Sequence, residues 1–316
     1  MRLVDELEQF PYPFKDDVYR YSNNSVPLDD LGCVEITSKY EKEMGRKRSL
    51  LKKYPERCFQ SRPHTRQGQW EIVELVMAHL TVYYPDRFAL NKNGKHWAFH
   101  NKKLKEIHHF IFGDETTLPC EPLDFIGRHV QEDLLLMMQR DGDLFLDAGQ
   151  LCFPANWSLA FNLGMSFKEI HKPIPGFKEE ALDDRILRFL MHLEAGNPWW
   201  RKNWSLMAGN RLDTSLETFD EWGKERKNVT KENAGHLVHL RVEVQKLFRL
   251  PRSHSILFTI HTHLLPLEKL VQNREWLEQF HGIIQELPSF IADYKGISPY
   301  KGAVIDYLKD RLVESR

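Results

Sequence analysis

The chain has 316 residues, 41% of them apolar and 28% charged, the balance of a globular protein with a sizeable core. A formal net charge of −1 offers no global field to draw it to nucleic acid or to an anionic membrane. No apolar run reaches the roughly 18 residues of a membrane span, and four scattered cysteines without a C-x-x-C pair encode neither a zinc site nor an iron–sulfur cluster. The opening Met1-Arg2-Leu3-Val4-Asp5-Glu6 does not read as a secretory signal, so the expected setting is reducing and cytoplasmic.

The first 65 residues are polar and turn-rich and are expected to form an arm packed on the core, docked through Tyr12, Tyr19 and Tyr21. Within it, the basic run Lys42 to Lys53 is mixed with glutamates and reads as a solvated helix face. Residues 66–316 are expected to form a single domain. Trp70, Val73, Val76, Leu80 and Tyr83 recur at helical steps over Gln67–Tyr84. The segment Asn91–Thr117, with His96, His100, His108 and His109, reads as irregular structure plus a short helix. A second helix is expected over Pro122–Arg140, on the stripe Phe125 or Ile126, Val130, Leu134 and Met137 or Met138. Beta structure is expected from Asp141-Gly142, with a tight hairpin turning at Asp147-Ala148-Gly149.

Ser166 and Glu169 fit a capping box, so a helical turn is expected to run into His171. Pro173 and Pro175 then stiffen the backbone. A ring mounted this way suits an axial metal ligand, or is a satisfied histidine in a tight connection. Asp183–Glu194 reads as a helix and Trp200–Met207 as a strand.

The clearest strand pattern follows. From His236, the residues Val238, Leu240, Val242 and Val244 take one face, while His239, Arg241, Glu243 and Gln245 take the other. Ser255 to His263 alternates too, with Ile256, Phe258 and Ile260 opposite Leu257, Thr259, His261 and His263. Paired as a hairpin, the apolar faces are expected to meet on the core side and the polar faces opposite. Arg241, Glu243 and Gln245 are then either solvent-facing or the lining of a pocket, and His261 with His263 could ligate a metal. Leu267 to Ile284 and Val304 to Leu312 give two closing helices. The architecture is α+β, an antiparallel sheet flanked by helices with an N-terminal arm and a helical C-terminal extension.

No dinucleotide fingerprint, Walker loop, nucleophile elbow or H-E-x-x-H is present, so electrons for any redox chemistry must come from another polypeptide.

Five pieces occur together: Val130-Gln131-Glu132-Asp133-Leu134; Cys152-Phe153-Pro154-x-x-Trp157; Leu163-Gly164 through Ile170-His171-x-Pro173-Ile174-Pro175-Gly176; Arg201-x-Asn203-Trp204; and Leu240 to Gln245 followed by Leu250-Pro251-Arg252-Ser253 and Leu257 to Ile260. In that order and over about Val130 to Pro266, the chain resembles the haem-binding alpha subunit of haem-dependent oxidative N-demethylases, a family that includes bacterial dimethylamine-oxidising enzymes. The resemblance implies a PAS-like antiparallel sheet holding a b-type haem. It also implies O₂ activation, oxidation of an N-methyl group of a small amine, and release of formaldehyde. NADPH, flavin and an iron–sulfur cluster are implied on a partner subunit, a reductase or ferredoxin-type electron carrier.

Carried onto this chain, the resemblance makes His171 the axial ligand and Arg241 and Arg252 partners for the haem propionates. Glu243 would orient the amine or relay protons, and Trp157, Asn203 and Trp204 would wall the pocket. His261-Thr262-His263 and Val244 depart from the family pattern and leave the amine open. A non-catalytic haem-based gas or redox sensor, and a binding module without haem, are the alternatives.

Overall fold

The computed structural model describes residues 6–20, 24–29, 32–176, 178 and 181–314. Its strands are β1 (Val26–Pro27), β2 (Phe59–Ser61), β3 (Phe88–Asn93), β4 (His96–Asn101), β5 (Glu106–Ile111), β6 (Asp133–Arg140), β7 (Asp143–Gln150), β8 (Trp199–Ala208), β9 (Val238–Arg249) and β10 (Ile256–Pro266). Seven of them build one antiparallel sheet in the order β1-β8-β9-β10-β6-β7-β2, and β3-β4-β5 form a separate antiparallel meander. With helices packed on both faces, the expected α+β architecture holds. Among the described residues no helix is long and apolar enough to cross a membrane.

The longest strands are the alternating, valine- and leucine-rich runs β9 and β10, whose branched side chains suit a pleated, buried surface. Val238, Leu240, Val242 and Leu265 point to one face and pack on the helices Arg274–Glu286 and Lys301–Glu314 through Leu277, Phe280, Ile284, Val304 and Leu308. The rest of that face, including Leu134, Leu136 and Leu257, packs on the helix Arg66–Tyr83. The short helices Phe167–His171 and Leu182–Met191 cover the opposite face, against Leu144, Leu247 and Ile256.

Several expectations are corrected. The helix expected over Pro122–Arg140 stops at Gly127, and β6 begins at Asp133. Leu134-Leu135-Leu136 is buried on both sides of the sheet, and such a run carries no period that separates strand from helix. The hairpin turns at Asp141-Gly142, not at Asp147-Ala148-Gly149, which lies inside β7. Both turn residues have positive φ (51° and 75°), which matches a two-residue turn to the twist of its strands. The segment Asn91–Thr117 is mostly sheet, turning at Gly94-Lys95 with Gly94 at φ 57°. The expected first closing helix is broken after Leu270, and a new helix starts under the Asn273 cap.

The first 65 residues do more than pack on the core, since they supply both edge strands, β1 and β2. Tyr12 stacks on Trp276 at 4.4 Å and Tyr19 packs nearby, while Tyr21 lies outside the described residues. Lys47 is not solvated: it is fully buried, donates to the Val130 and Glu132 carbonyls and lies 3.9 Å from Asp133.

Beyond the helix Pro122–Gly127, His129 is buried between Phe99, Phe125 and His108, each ring about 5 Å away, and its Nδ1 accepts from Asn101 at 3.1 Å. Burial, with the charges of His108 and Arg48, lowers its pKa to about 3. Between about pH 6.5, where an unfolded histidine titrates, and that value, only the unfolded chain takes up the proton. Stability is therefore lost as pH falls through this window, at roughly 1 kcal/mol per pH unit. Urea unfolding at pH 7, 6 and 5 should show this slope in the parent and a shallower one in His129→Gln. Equal slopes would refute the assignment.

Candidate functional site

The covered, non-helical-bundle face of β8, β9 and β10 carries a set of buried polar side chains. On β9 they are Arg241 (1% exposed), Glu243 (5%) and Gln245 (8%). Residues paired across an antiparallel sheet share a face. Register places Asn203 and Thr262 beside Glu243, and Arg201 and Ile260 beside Gln245. The polar face of β9 is thus a lining and not a solvent face.

Glu243 is clamped from three sides. Its Oε1 accepts from Arg241 Nε at 3.3 Å, and its Oε2 accepts from Gln245 Nε2 at 3.0 Å and Asn203 Nδ2 at 3.3 Å. Arg241 also donates to the carbonyls of Leu212 (2.9 Å) and Phe153 (2.6 Å) and to Thr262 Oγ1 (3.2 Å). Its guanidinium therefore ties the Cys152-Phe153-Pro154 loop and the Leu212 loop to the sheet. Asp133 secures the same loop from behind, accepting from the Cys152 and Phe153 amides, each at 2.8 Å.

His171 ends the helix Phe167–His171, where both halves of the expected capping box form: Ser166 Oγ accepts from the Glu169 amide and the Glu169 side chain from the Ser166 amide. The ring lies on Phe167 at 4.2 Å, and Nδ1 donates to the Phe167 carbonyl at 2.7 Å. That bond fixes the neutral tautomer with its lone pair on Nε2, the state a metal ligand needs. Part of the residue stays exposed, yet protein crowds the ring. Burial foremost, and the charge of Arg201, lower its pKa to about 4, against the pull of the Phe167 carbonyl.

Arg201 is the residue the sequence reading left out of the site. Its Nε is shut from solvent and has no hydrogen-bond partner among the described residues. The period of two that put Asn203 beside Glu243 also puts Arg201 on that face, so the signal was present. Lys295 arrives without any: it follows the helix Ser289–Tyr294 and donates to the Trp204 carbonyl at 2.6 Å. Burial, then Arg201, lower its pKa to about 8 while Glu243 opposes them.

Trp157 is half-buried and packs with Ile170, Leu163 and Ile260, next to the His171 helix. Trp204 is not with the group. It pairs with Val242 and points to the other face, edge-on to Phe14 at 5.0 Å. Arg252 is not with it either. It lies at the β9–β10 turn, its side chain half-exposed, bonded to Glu74 at 2.7 Å and beside Glu71 at 3.6 Å. The run of β9 from Arg241 to Arg249 alone puts roughly 25 Å between that turn and Arg241. His261 and His263 also fall elsewhere, since His261 pairs with Val244 and His263 with Val242. The expectation that the polar faces of β9 and β10 coincide is overturned: Ile256, Phe258 and Ile260 share the Arg241–Glu243 face.

Fold and site together define an α+β protein that presents a neutral imidazole, a guanidinium with one unpartnered N–H and a clamped carboxylate on one sheet face. The family described as haem-dependent oxidative N-demethylase, alpha subunit-like, matches residues 26–305. The chain belongs to that family. Haem, the group the family name implies, carries an iron that takes an imidazole and propionates that take a guanidinium. The His171 tautomer and the orphaned Arg201 Nε fit both demands.

Proposed function

We propose that this protein holds a b-type haem against the His171–Arg201 face and oxidatively demethylates a small methylated amine. His171 Nε2 would be the axial ligand and Arg201 would receive a propionate, a role for which Arg252, at the far turn, is poorly placed. The order of the five central strands taken by themselves, 2-1-5-4-3 in chain order, supports the PAS-like reading. When bound, haem supplies activation of O₂ for oxidation at an N-methyl group. In the overall reaction one O₂, two electrons and two protons convert that methyl to formaldehyde, leaving the demethylated amine and water.

The side chains of the chain do the rest. Glu243, with its orientation set by Arg241, Asn203 and Gln245, attracts a protonated amine and accepts a proton from it. Trp157 and Ile260 give the site an apolar wall that suits N-methyl groups. Electrons would come from a partner subunit carrying NADPH-reduced flavin and an iron–sulfur cluster.

The single observation that carries this reading is the His171 Nδ1–Phe167 carbonyl bond, which leaves the lone pair on Nε2, on a helix packed against the sheet face that bears Glu243. The test is formaldehyde release from a panel of methylated amines by hemin-loaded protein with a surrogate reductase. Glu243→Gln should leave the Soret band in place and lower turnover about 100-fold. Protein that binds haem and O₂ but yields no formaldehyde from any amine would rule out catalysis.

A further inference from the structure

On the sheet face away from Glu243, β10 presents His261 and His263 with their rings stacked at 4.3 Å. The segment Cys33–Ile36 crosses this face, tied down where Thr259 Oγ1 donates to the Cys33 carbonyl and Lys246 Nζ to the Gly32 carbonyl. It carries Glu35 over the histidine pair. One ring nitrogen from each histidine and one Glu35 carboxylate oxygen lie within 4.8 Å of one another. Glu132, just before β6, stands behind them. Its Oε1 accepts from the Glu35 amide at 2.7 Å and stands within ion-pair distance of His261 Nδ1, 3.0 Å away.

Buried polar atoms are left without partners beside this cluster. His263 Nε2 and Glu132 Oε2 are both shut from solvent and have no hydrogen-bond partner among the described residues. His261 is 4% exposed and Glu132 2%. Buried polar atoms are ordinarily paired, and each exception asks for a reason. Two in one place, beside a three-residue cluster whose ligand atoms lie within 4.8 Å of one another, point to a cation that completes them.

We infer that Glu35, His261 and His263 bind a divalent transition-metal ion of the zinc class, with Glu132 as the second negative charge beside it. Two imidazole nitrogens with carboxylate oxygen suit zinc, cobalt or ferrous iron, whereas calcium and magnesium take oxygen alone. The half-exposed Glu35 side chain leaves the ion a way in from solvent. Lys39, Lys202 and Lys246 bear on His263 and oppose a cation, and the two carboxylates on the other side answer them. The ion would join the N-terminal segment, the start of β6 and β10, and so act as a staple on the face opposite the haem site.

The test is calorimetric titration of the chelator-treated full-length protein with Zn²⁺. One ion per chain is expected, with affinity lowered at least about 10-fold in both Glu35→Gln and His263→Ala. Glu35 is half-exposed, so its substitution leaves folding intact. His171→Ala should bind Zn²⁺ like the parent, which keeps this result separate from the fate of the haem assignment. No uptake, or uptake unchanged in Glu35→Gln and His263→Ala, would overturn the site.

Discussion

His171→Ala should bind hemin more than about 100-fold more weakly than the parent and lose or shift the Soret band. The reason is geometric. The capping box and the Phe167 carbonyl hold the ring in one tautomer and one direction, so an iron bond to Nε2 would form with little ordering cost. Alanine keeps the helix, because neither half of the capping box involves His171, and the variant should therefore fold. Glu169→Ala gives a graded companion. It removes one half of the box, loosens the mount and should weaken haem binding about 10-fold while keeping the spectrum of imidazole-ligated iron. An unchanged Soret band in His171→Ala would place the ligand elsewhere.

Arg241→Met should destabilise the haem-free protein by about 3–5 kcal/mol in urea unfolding. Arg241 is almost wholly buried and serves Glu243, Thr262 and two loop carbonyls at once. Removing it strands the Glu243 carboxylate in a dry setting and leaves the Phe153 and Leu212 carbonyls without this donor. If Arg241 instead served only a propionate, the haem-free protein would barely notice its loss. The double variant Arg241→Met/Glu243→Gln should recover part of the stability, since the stranded charge goes with its partner. Additive losses would refute the clamp.

Much of the site was legible where a strand's period of two does the work. Arg241, Glu243 and Gln245 share a face because alternation is local to β9, and the same logic would have added Arg201 to Asn203. Alternation within one strand, however, says nothing about which face of the next strand it joins. That is set by register, and a shift of one residue exchanges the faces. Hence His261 and His263 were matched with Glu243 by polarity, while pairing with Val242 and Val244 carries them to the other side. The Pro122–Arg140 segment failed for a different reason, since a run buried on both sides has no contrast to read. Lys47 failed because charge in sequence does not announce a buried partner such as Asp133.

By itself the amino-acid order settled what depends on neighbours in the chain. These are the capping box before His171, the alternation of β9 and β10, and the absence of any resident motif for nicotinamide or nucleotide. The tertiary structure alone decided what depends on distant segments meeting. It brought Arg201 to the His171 face, turned Arg241 into an internal clamp, left Arg252 with Glu71 and Glu74, and set Glu35 against two histidines. Local preferences act over a few bonds, whereas strand register and loop docking are fixed by burial over the whole sheet.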